Sequence, residues 1–415
     1  MSDSMRKEML RYWLWLSMVF GAANPRLMGY LRHFETPKEL YEALQRSALP
    51  GLTASDCSQI KKHSLDMAES FLYHCRKNEI ELVALDDERY PELLRSIHLP
   101  PILLTAQGNL SLMNGLNLTV VGTRRPSPYS EKVTYSIISS LAPNGFTIVS
   151  GFALGIDSVA HTAALDSGMP TIAVMGCGIN VNYPRENAVL RNRMLEDGKG
   201  LLLSEYLPGT QPIPANFPKR NRILSGLSYG TAVIEAAARS GSLLTADCAV
   251  EQGRNLFCVP PHDLFDARYA GVIPLLRDGA IPLFQHQDIL YEYYTAWPQR
   301  IKAEEMRVKP EQSMIFAESS KHAKASAARG MQNEAASETE QLPSAADSLQ
   351  QGPMPENEQE RAILLWLREH GETHVNDLAA ALDLDLSAVL NDLMNLELDG
   401  FVESLFGKQY RAVSE

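Results

Sequence analysis

The residues best suited to chemistry in this sequence are a run of cations and a set of glycine turns, and both suit phosphate binding. Residues 217–222, Phe-Pro-Lys-Arg-Asn-Arg, place Lys219, Arg220 and Arg222 within four positions, at the start of a helix predicted over 223–227. Guanidinium groups bind phosphate oxygens through paired hydrogen bonds, and a lysine adds a point charge. The alternative interpretation is a solvated basic surface.

A second pair of cations stands in a glycine turn. Arg124 and Arg125 follow Gly122 and Thr123, directly after an apolar run over 118–121. A strand that ends at glycine before a helix leaves free N–H groups at the positive end of the helix dipole, which is an anion site. Three further arginines are expected to add positive charge nearby: Arg185, Arg191 and Arg193.

Three more apolar runs end in small or anion-binding residues, and a later turn adds hydroxyl groups. The residues of these turns are Ser150, Gly151 and Gly155; Gly176 and Gly178; Ser204 and Glu205; and Ser240, Gly241, Ser242 and Thr245. None forms a full G-x-G-x-x-G fingerprint, so each turn alone is as consistent with close strand–helix packing as with phosphate binding. Together they predict one phosphate-binding edge.

Candidate catalytic groups are few. Asp157 and His161 are four residues apart on a predicted helix, so an acid–base pair is one interpretation, although a helix-start carboxylate and a packed histidine are favoured. Glu205 and Glu235 are candidate general bases, with local bonding or pairing to arginines as the favoured role. The sequence has no Walker lysine, metal-ligand spacing or nucleophile elbow. We therefore predict a binding protein without catalytic residues, metal or cofactor.

These turns need a sheet that brings the ends of successive strands together. Short apolar runs predict buried strands over 118–121, 146–149, 171–175, 200–203, 231–234, 255–259 and 280–284, with helices between them. This alternation predicts an α/β fold with an extended Rossmann-like, doubly wound parallel sheet, whose ligands bind at the carboxyl ends of the strands. Strand-like runs over 80–85 and 102–106 are interpreted as a lead-in packed against it.

Composition divides the 415 residues into four segments. Residues 1–75 predict a small helical module of the SAM or helix-hairpin-helix kind, and residues 76–300 contain the sheet. Residues 301–354 are rich in Ala, Ser, Glu and Gln, which predicts a disordered linker. Residues 355–415 predict three helices followed by a hairpin, which is the pattern of a winged-helix domain.

The net charge of −12 is unevenly distributed. Residues 356–415 hold 13 acidic and 4 basic residues and so account for −9 of it, which leaves the central cations free to concentrate locally. The helix that would read DNA carries Asp392, Glu397 and Asp399 and neither lysine nor arginine, so it would repel a phosphate backbone. A protein-interaction or dimerisation domain is therefore favoured over DNA reading.

The N-terminal segment imitates a signal peptide, because Arg6, Lys7 and Arg11 precede an apolar run. Glu8 interrupts the basic stretch and the helical pattern continues beyond it, so a core helix is predicted instead. No apolar run approaches the roughly 18–20 residues of a membrane span. Five cysteines without C-x-x-C spacing favour a reducing cytosol over a disulfide framework or a zinc site.

Several motifs, in order, resemble the bacterial DNA-processing protein A family, also called DprA or Smf. The matching segments include VVGTRRPSPYS, IVSGFALGIDSVAHTAAL, GCGINVNYPRENAVL, FPKRNRILSGLS and VIEAAARSGSLLTADCAVEQGR. The resemblance implies a cytoplasmic homodimer that binds single-stranded DNA and has no membrane contact. It also implies that the protein hands incoming DNA to RecA during natural transformation of competent cells, displacing or working alongside single-strand-binding protein.

The resemblance also implies which residues bind the strand. By motif match these are Gly122, Thr123, Arg124, Ser150, Gly151, Gly155, Arg185, Lys219, Arg220, Asn221 and Arg222. Phe217 or Tyr183 would offer a surface on which bases stack. Three departures from the family pattern are Leu154 in place of a usual arginine, Pro260-Pro261 in place of Pro-Gly, and Gly271-Val272-Ile273 in place of Gly-x-Asn. The last two weaken inferences about the far side of the pocket and about the dimer edge.

Two other functions stay open. A nucleotide-processing enzyme of the nucleoside-monophosphate hydrolase type would use the same phosphate cradle, with Glu205 or Glu235 as its base. The Pro-Gly-Gly-x-Gly-Thr run of those enzymes is absent from this sequence. A scaffold that holds a regulatory nucleotide is the third interpretation.

Overall fold

The computed structural model describes residues 3–46, 49–196, 198–296, 298–301, 355, 357–382, 384, 386–405 and 409–413. The chain divides into two compact units, Met1–Ala328 and Arg329–Glu415. The linker predicted over 301–354 lies outside the described residues, apart from Ile301.

The first unit is built on one nine-stranded sheet. Its strands are β1 (Glu81–Ala84), β2 (Leu103–Gly108), β3 (Leu116–Val121), β4 (Phe146–Ser150), β5 (Thr171–Met175), β6 (Gly200–Ser204), β7 (Gly230–Val233), β8 (Asn255–Cys258) and β9 (Ile281–Pro282). Their order is β1-β2-β6-β5-β4-β3-β7-β8-β9. Strands β3 to β9 pair in parallel, which confirms the doubly wound sheet. The strand order reverses at β3, so a crevice is expected beside its carboxyl end.

The two runs interpreted as a lead-in belong to the sheet itself. β1 pairs antiparallel with β2, and β2 pairs antiparallel with β6, where Thr105 stands opposite Ser204. This register joins segments about a hundred positions apart, and local apolar patterning contains no information on such a partner. The sheet is therefore mixed, with an antiparallel edge.

Helices cover both faces of the sheet, because alternate strand residues point to opposite sides. On one face, Ala173 and Leu202 pack with the N-terminal helices, and Ile148 packs with the helices after β3 and β4. On the other face, Val174 and Leu203 pack with the helices after β6 and β7. The helices are α1 (Asp3–Phe20), α2 (Pro25–Leu31), α3 (Pro37–Gln45), α4 (Ala54–Lys62), α5 (Leu65–Lys77), α6 (Glu92–Arg95), α7 (Pro128–Leu141), α8 (Ile156–Asp166), α9 (Ala188–Glu196), α10 (Asn216–Gly226), α11 (Leu243–Glu251), α12 (Val272–Arg277) and α13 (His286–Ala296).

The N-terminal segment that imitates a signal peptide is helix α1. Trp15 and Leu16 are fully buried, in a core shared with Met175 of β5. The next helices begin at polar caps: Thr36 accepts a hydrogen bond from the Glu39 N–H. Within the described ranges, no helix is long and apolar enough to cross a membrane.

The second unit has the elements of a winged helix. These are α14 (Glu358–His370), β10 (Thr373–His374), α15 (Val375–Leu382), α16 (Leu386–Leu398), β11 (Val402–Leu405) and β12 (Gln409–Ala412). β12 lies between β10 and β11. Asp392 of α16, expected among the exposed acids, is buried, and burial raises the pKa of its carboxyl group. Glu397 and Asp399 are exposed.

Candidate nucleic-acid interface

The turns that follow β3, β4 and β7, together with helix α10, enclose a cleft at the carboxyl edge of the sheet, where the strand order reverses. We call it the carboxyl-edge cleft. It has a volume of about 360 Å³. The predicted site residues that line it are Gly122, Thr123, Arg124, Arg220, Asn221, Ser240, Gly241, Ser242 and Thr245. An adjoining hollow shares Arg124 and Phe217 with the cleft and is lined also by Gly151, Gly176 and Tyr183. The structure thus brings most of the predicted turns together.

Close backbone approach explains why glycines occupy these turns. A Cβ atom at Gly151 would lie 2.5 Å from Nη2 of Arg220 and 2.7 Å from Oδ2 of Asp157. Gly155 has a φ of +82°, and its Cβ would lie 2.4 Å from the Thr123 carbonyl oxygen. Gly122, Gly176 and Gly178 are packed as tightly. The packing interpretation is therefore correct for these five glycines, and their packing assembles the cleft, whereas a Cβ atom at Gly241 would meet nothing within 4 Å.

The cationic run lies inside a helix rather than before one. Helix α10 begins at Asn216 and not at residue 223, so residues 219–222 point in successive directions around its axis. Lys219 is exposed, whereas Arg220 is 4% exposed. Nη2 of Arg222 lies 2.7 Å from Oε1 of Glu205. The prediction that these three cations bind phosphate together is therefore wrong, because helical geometry separates them.

Arg220 supports the base of the cleft through hydrogen bonds to backbone carbonyl groups. Its Nη1 donates to the carbonyl oxygens of Gly151, at 2.7 Å, and Val174. Asp157 is buried beside it and accepts a hydrogen bond from the Ala153 N–H. Burial raises the pKa of Asp157, although the Arg220 charge opposes this shift, and burial lowers the pKa of Arg220. Arg220 therefore ties the ends of β4 and β5 together, and little of it is left for a ligand.

Arg124 and two aromatic rings form the exposed part of the site. The Arg124 guanidinium lies 5.9 Å from the centre of the Phe217 ring, within cation–π range. The Tyr183 ring lies 5.7 Å from Phe217, and Tyr183 is 37% exposed. Arg125 and Arg185 are also exposed. The two rings are tilted by 46° to one another, and a cation beside them offers a phosphate contact next to an aromatic surface for a base.

Hydroxyl and amide groups line the opposite wall. The hydroxyl oxygens of Ser240 and Ser242 are 2.7 Å apart, and Nδ2 of Asn221 donates to the Gly241 carbonyl. Ser242 directly precedes α11, so the N-terminal end of that helix faces the cleft. Ser150, by contrast, is fully buried and its hydroxyl donates to the Val120 carbonyl. Its predicted contact with a ligand is therefore wrong for the side chain.

The candidate acids and bases are all engaged in structure. Glu205 accepts hydrogen bonds from Arg222 and from the Ala23 N–H, and Glu235 accepts from the N–H and hydroxyl of Ser127. His161 is fully buried with Nδ1 at 2.7 Å from the Thr171 hydroxyl, and burial lowers its pKa to about 3. The structural interpretation of these groups is confirmed. Within the described residues, no cluster of three or more His, Cys, Asp or Glu side chains is arranged to hold a metal ion.

A second cleft lies on another side of α10 and was not anticipated. It has a volume of about 430 Å³ and is lined by Lys219 and Arg222 together with Gln252 and Arg254. Nη2 of Arg254 donates to the Leu93 carbonyl, 161 positions earlier in the chain. An isolated arginine after a helix gives no sequence signal of such a partner.

Two arginines that were expected near the site have other partners. Arg191 donates a hydrogen bond to the Ile179 carbonyl, and Arg193 forms an ion pair with Asp166.

Comparisons with known proteins agree with this architecture. The profile of the family described as DNA recombination-mediator protein A matches residues 81–294, and that of the DprA winged helix domain matches residues 344–408. The DNA processing protein DprA of Bacillus subtilis is 40% identical over 218 residues, which are 52% of this chain and 72% of that protein. Protein Smf of Escherichia coli is 40% identical over 240 residues, which are 58% of this chain and 64% of that protein.

A solved structure shows the same fold. The X-ray structure of DNA processing protein A from Streptococcus pneumoniae superposes with a TM-score of 0.59 at 33% identity, covering 67% of this chain and 95% of that one. The resemblance stated from the motifs is thereby confirmed, as is the α/β fold with a winged helix. The family description names a recombination mediator and not a catalysed reaction.

Proposed function

This chain belongs to the DNA recombination-mediator protein A family, and from that premise we propose that it binds single-stranded DNA along the carboxyl-edge cleft. The observation that supports this most directly is the exposed Arg124 guanidinium above Phe217, with Tyr183 beside it. Single-strand sites combine cations that follow the backbone with aromatic rings on which bases stack. Paired bases of a duplex are not free to stack on such rings, so single strands are preferred.

The exposure of the predicted residues supports a narrower set of contacts with the strand. Arg124, Arg125 and Arg185 are exposed and are proposed to bind phosphates, whereas the exposed Lys219 lines the second cleft on another side of α10. Thr123, Ser240, Gly241, Ser242 and Thr245 would supply hydroxyl and N–H donors from the cleft wall. Arg220, Arg222 and Gly155 hold the loops in place and are positioning residues. Gly122, Gly151, Gly176 and Gly178 allow the backbone to approach closely.

The wider role is part of the same proposal. A recombination mediator delivers a bound strand to a recombinase, so we propose loading of RecA in the cytoplasm during natural transformation, in competition or cooperation with single-strand-binding protein. A homodimer is also proposed, with light scattering as its test. The winged-helix unit, with the exposed acids Glu397 and Asp399 on and just after α16, is proposed to bind protein.

The nucleotide-hydrolase alternative loses its support, because both candidate bases are held by other groups. Glu205 is paired with Arg222, and Glu235 accepts two hydrogen bonds from Ser127. Neither carboxylate lines the carboxyl-edge cleft.

The experiment that tests this function is fluorescence anisotropy with a labelled single-stranded oligonucleotide and its duplex. Arg124→Ala should weaken single-strand binding about tenfold or more, because it removes a charge-assisted hydrogen bond. Arg277, exposed at the end of α12 near the amino edge of the sheet, provides the matched control. Arg277→Ala should leave the affinity unchanged. Equal affinities for all three proteins, or a preference for the duplex, would refute the proposal.

A further inference from the structure

The loop over 260–271, which joins β8 to α12, holds two adjacent apolar side chains in solvent. Phe265 is 95% exposed, the highest value among large apolar side chains of the described residues, and Leu264 is 70% exposed. Burying such a side chain would stabilise the fold by about 1.5–3 kcal/mol. The fold buries neither side chain, so Leu264 and Phe265 are both available to a ligand.

Hydrogen bonds within the loop hold its tip, Leu264 and Phe265, in an outward orientation. The Phe265 N–H donates to Oδ1 of Asp263 at 2.9 Å, and Asp266 accepts hydrogen bonds from both the backbone and the guanidinium of Arg268. The buried Tyr269 anchors the end of the loop, with its hydroxyl 2.8 Å from that of Ser130. Leu264 and Phe265 therefore project from a fixed support.

The same anchors join the loop to segments that line the carboxyl-edge cleft. The Tyr269 hydroxyl also lies 3.2 Å from that of Ser127, shortly after the Gly122–Arg125 turn. The Gly271 N–H donates to the Ala236 carbonyl, on the segment that leads from β7 to the Ser240 turn. β8 is the direct neighbour of β7 in the sheet. The tip thus stands at the carboxyl edge, on the β8 side of the cleft.

The size and charge of the tip decide what fits it. A phenylalanine offers about 150–250 Å², and Leu264 only extends that patch, whereas a stable protein interface needs about 800 Å² on each partner. The neighbouring Asp263 carboxylate is exposed and would repel a phosphate held at the tip itself, so the base of a bound nucleotide, and not its phosphate, would contact the tip. A small, flat and uncharged ring matches both the area and the charge of the tip. We propose that Phe265, supported by Leu264, stacks against an unpaired base of a single strand that leaves the carboxyl-edge cleft.

This proposal rests on the proposed function, and the experiment separates the two. The probes are oligothymidylate and a strand of equal length that lacks all bases. Phe265→Ala should lower the affinity for oligothymidylate about fivefold or more, the value of one lost stack, and should leave the affinity for the abasic strand unchanged. Leu264→Ala should have a smaller effect of the same kind. Tyr73, 66% exposed on α5 beside the opposite edge of the sheet, provides the control, and Tyr73→Ala should change neither affinity.

A second variant reads the contact directly. In Phe265→Trp, oligothymidylate should quench the fluorescence of the new indole relative to the wild-type background, and the abasic strand should not. If Phe265→Ala binds both strands as the wild type does and Phe265→Trp is not quenched, the stacking proposal is overturned while strand binding stands. Equal weakening for both strands also overturns it, because the loop would then act through the backbone. If the wild type binds neither strand, both proposals are overturned.

Discussion

Arg220→Met tests how the carboxyl-edge cleft is held together. Methionine has a similar length and leaves no large cavity, but it removes the donor to the Gly151 and Val174 carbonyls and the charge facing Asp157. Leaving one member of a buried charge pair without its partner costs about 3–5 kcal/mol. At neutral pH we therefore expect the free energy of unfolding in urea to fall by about that amount, with an unchanged denaturant slope.

The pH dependence identifies Asp157 as the source of this cost. Burial already raises the pKa of Asp157, and Arg220 opposes the shift. Without Arg220 that pKa rises further, so the charged carboxylate is costly at neutral pH and the cost disappears as protonation proceeds at lower pH. The destabilisation by Arg220→Met should therefore shrink as the pH falls from 7 towards the ordinary Asp range near 4. Adding Asp157→Asn should restore part of the stability at pH 7. A destabilisation that is equal at pH 7 and pH 5, and that Asp157→Asn does not relieve, would refute this reasoning.

Two buried groups give further predictions. The pKa of His161 is about 3 in the folded protein and about 6.5 when unfolded, so the unfolded state alone binds a proton between these values and stability should fall by up to about 1.4 kcal/mol per pH unit as the pH drops below 6.5. His161→Gln should flatten this slope in urea titrations, and an unchanged slope would contradict the assignment. Glu205→Gln should cost about 1–3 kcal/mol, because it weakens the bonds to Arg222 and Ala23. Neither the wild type nor this variant should release free base from a nucleotide, and release by the wild type alone would revive the hydrolase alternative.

The parallel part of the fold could be predicted from the sequence because its signals are local. Strands such as Thr171–Met175 are continuous apolar runs, and the structure places them where the pattern does. The antiparallel strands β1 and β2 have equally apolar runs, yet their membership of the sheet depends on the pairing of β2 with β6, where Thr105 stands opposite Ser204. Pairing between strands so far apart in the sequence depends on how whole faces of the sheet are buried, and a local sequence pattern carries no information about that.

The sequence predicted which turns meet at the site, but not which side chains of the site are exposed to solvent. The carboxyl ends of adjacent parallel strands meet at one edge, so Gly122, Gly151 and Gly176 had to converge. Which cation faces solvent depends on the rotation of each residue about the helix axis, and α10 begins seven residues before the predicted start, so residues 219–222 lie within the helix. Arg220 consequently points into the protein and Lys219 away from it. The tip at Phe265 was missed because an apolar pair in a loop looks like core in a sequence.

The salt dependence of single-strand binding tests the central claim most directly, because phosphate contacts release counterions. The logarithm of the association constant should fall linearly with the logarithm of salt concentration, by about 0.7 per phosphate contacted. Arg124→Ala and Arg125→Ala should each reduce this slope by about 0.7, whereas Arg277→Ala should give a line parallel to that of the wild type. If all four lines are parallel, the cations of the carboxyl edge do not contact the strand, and the proposed interface is contradicted.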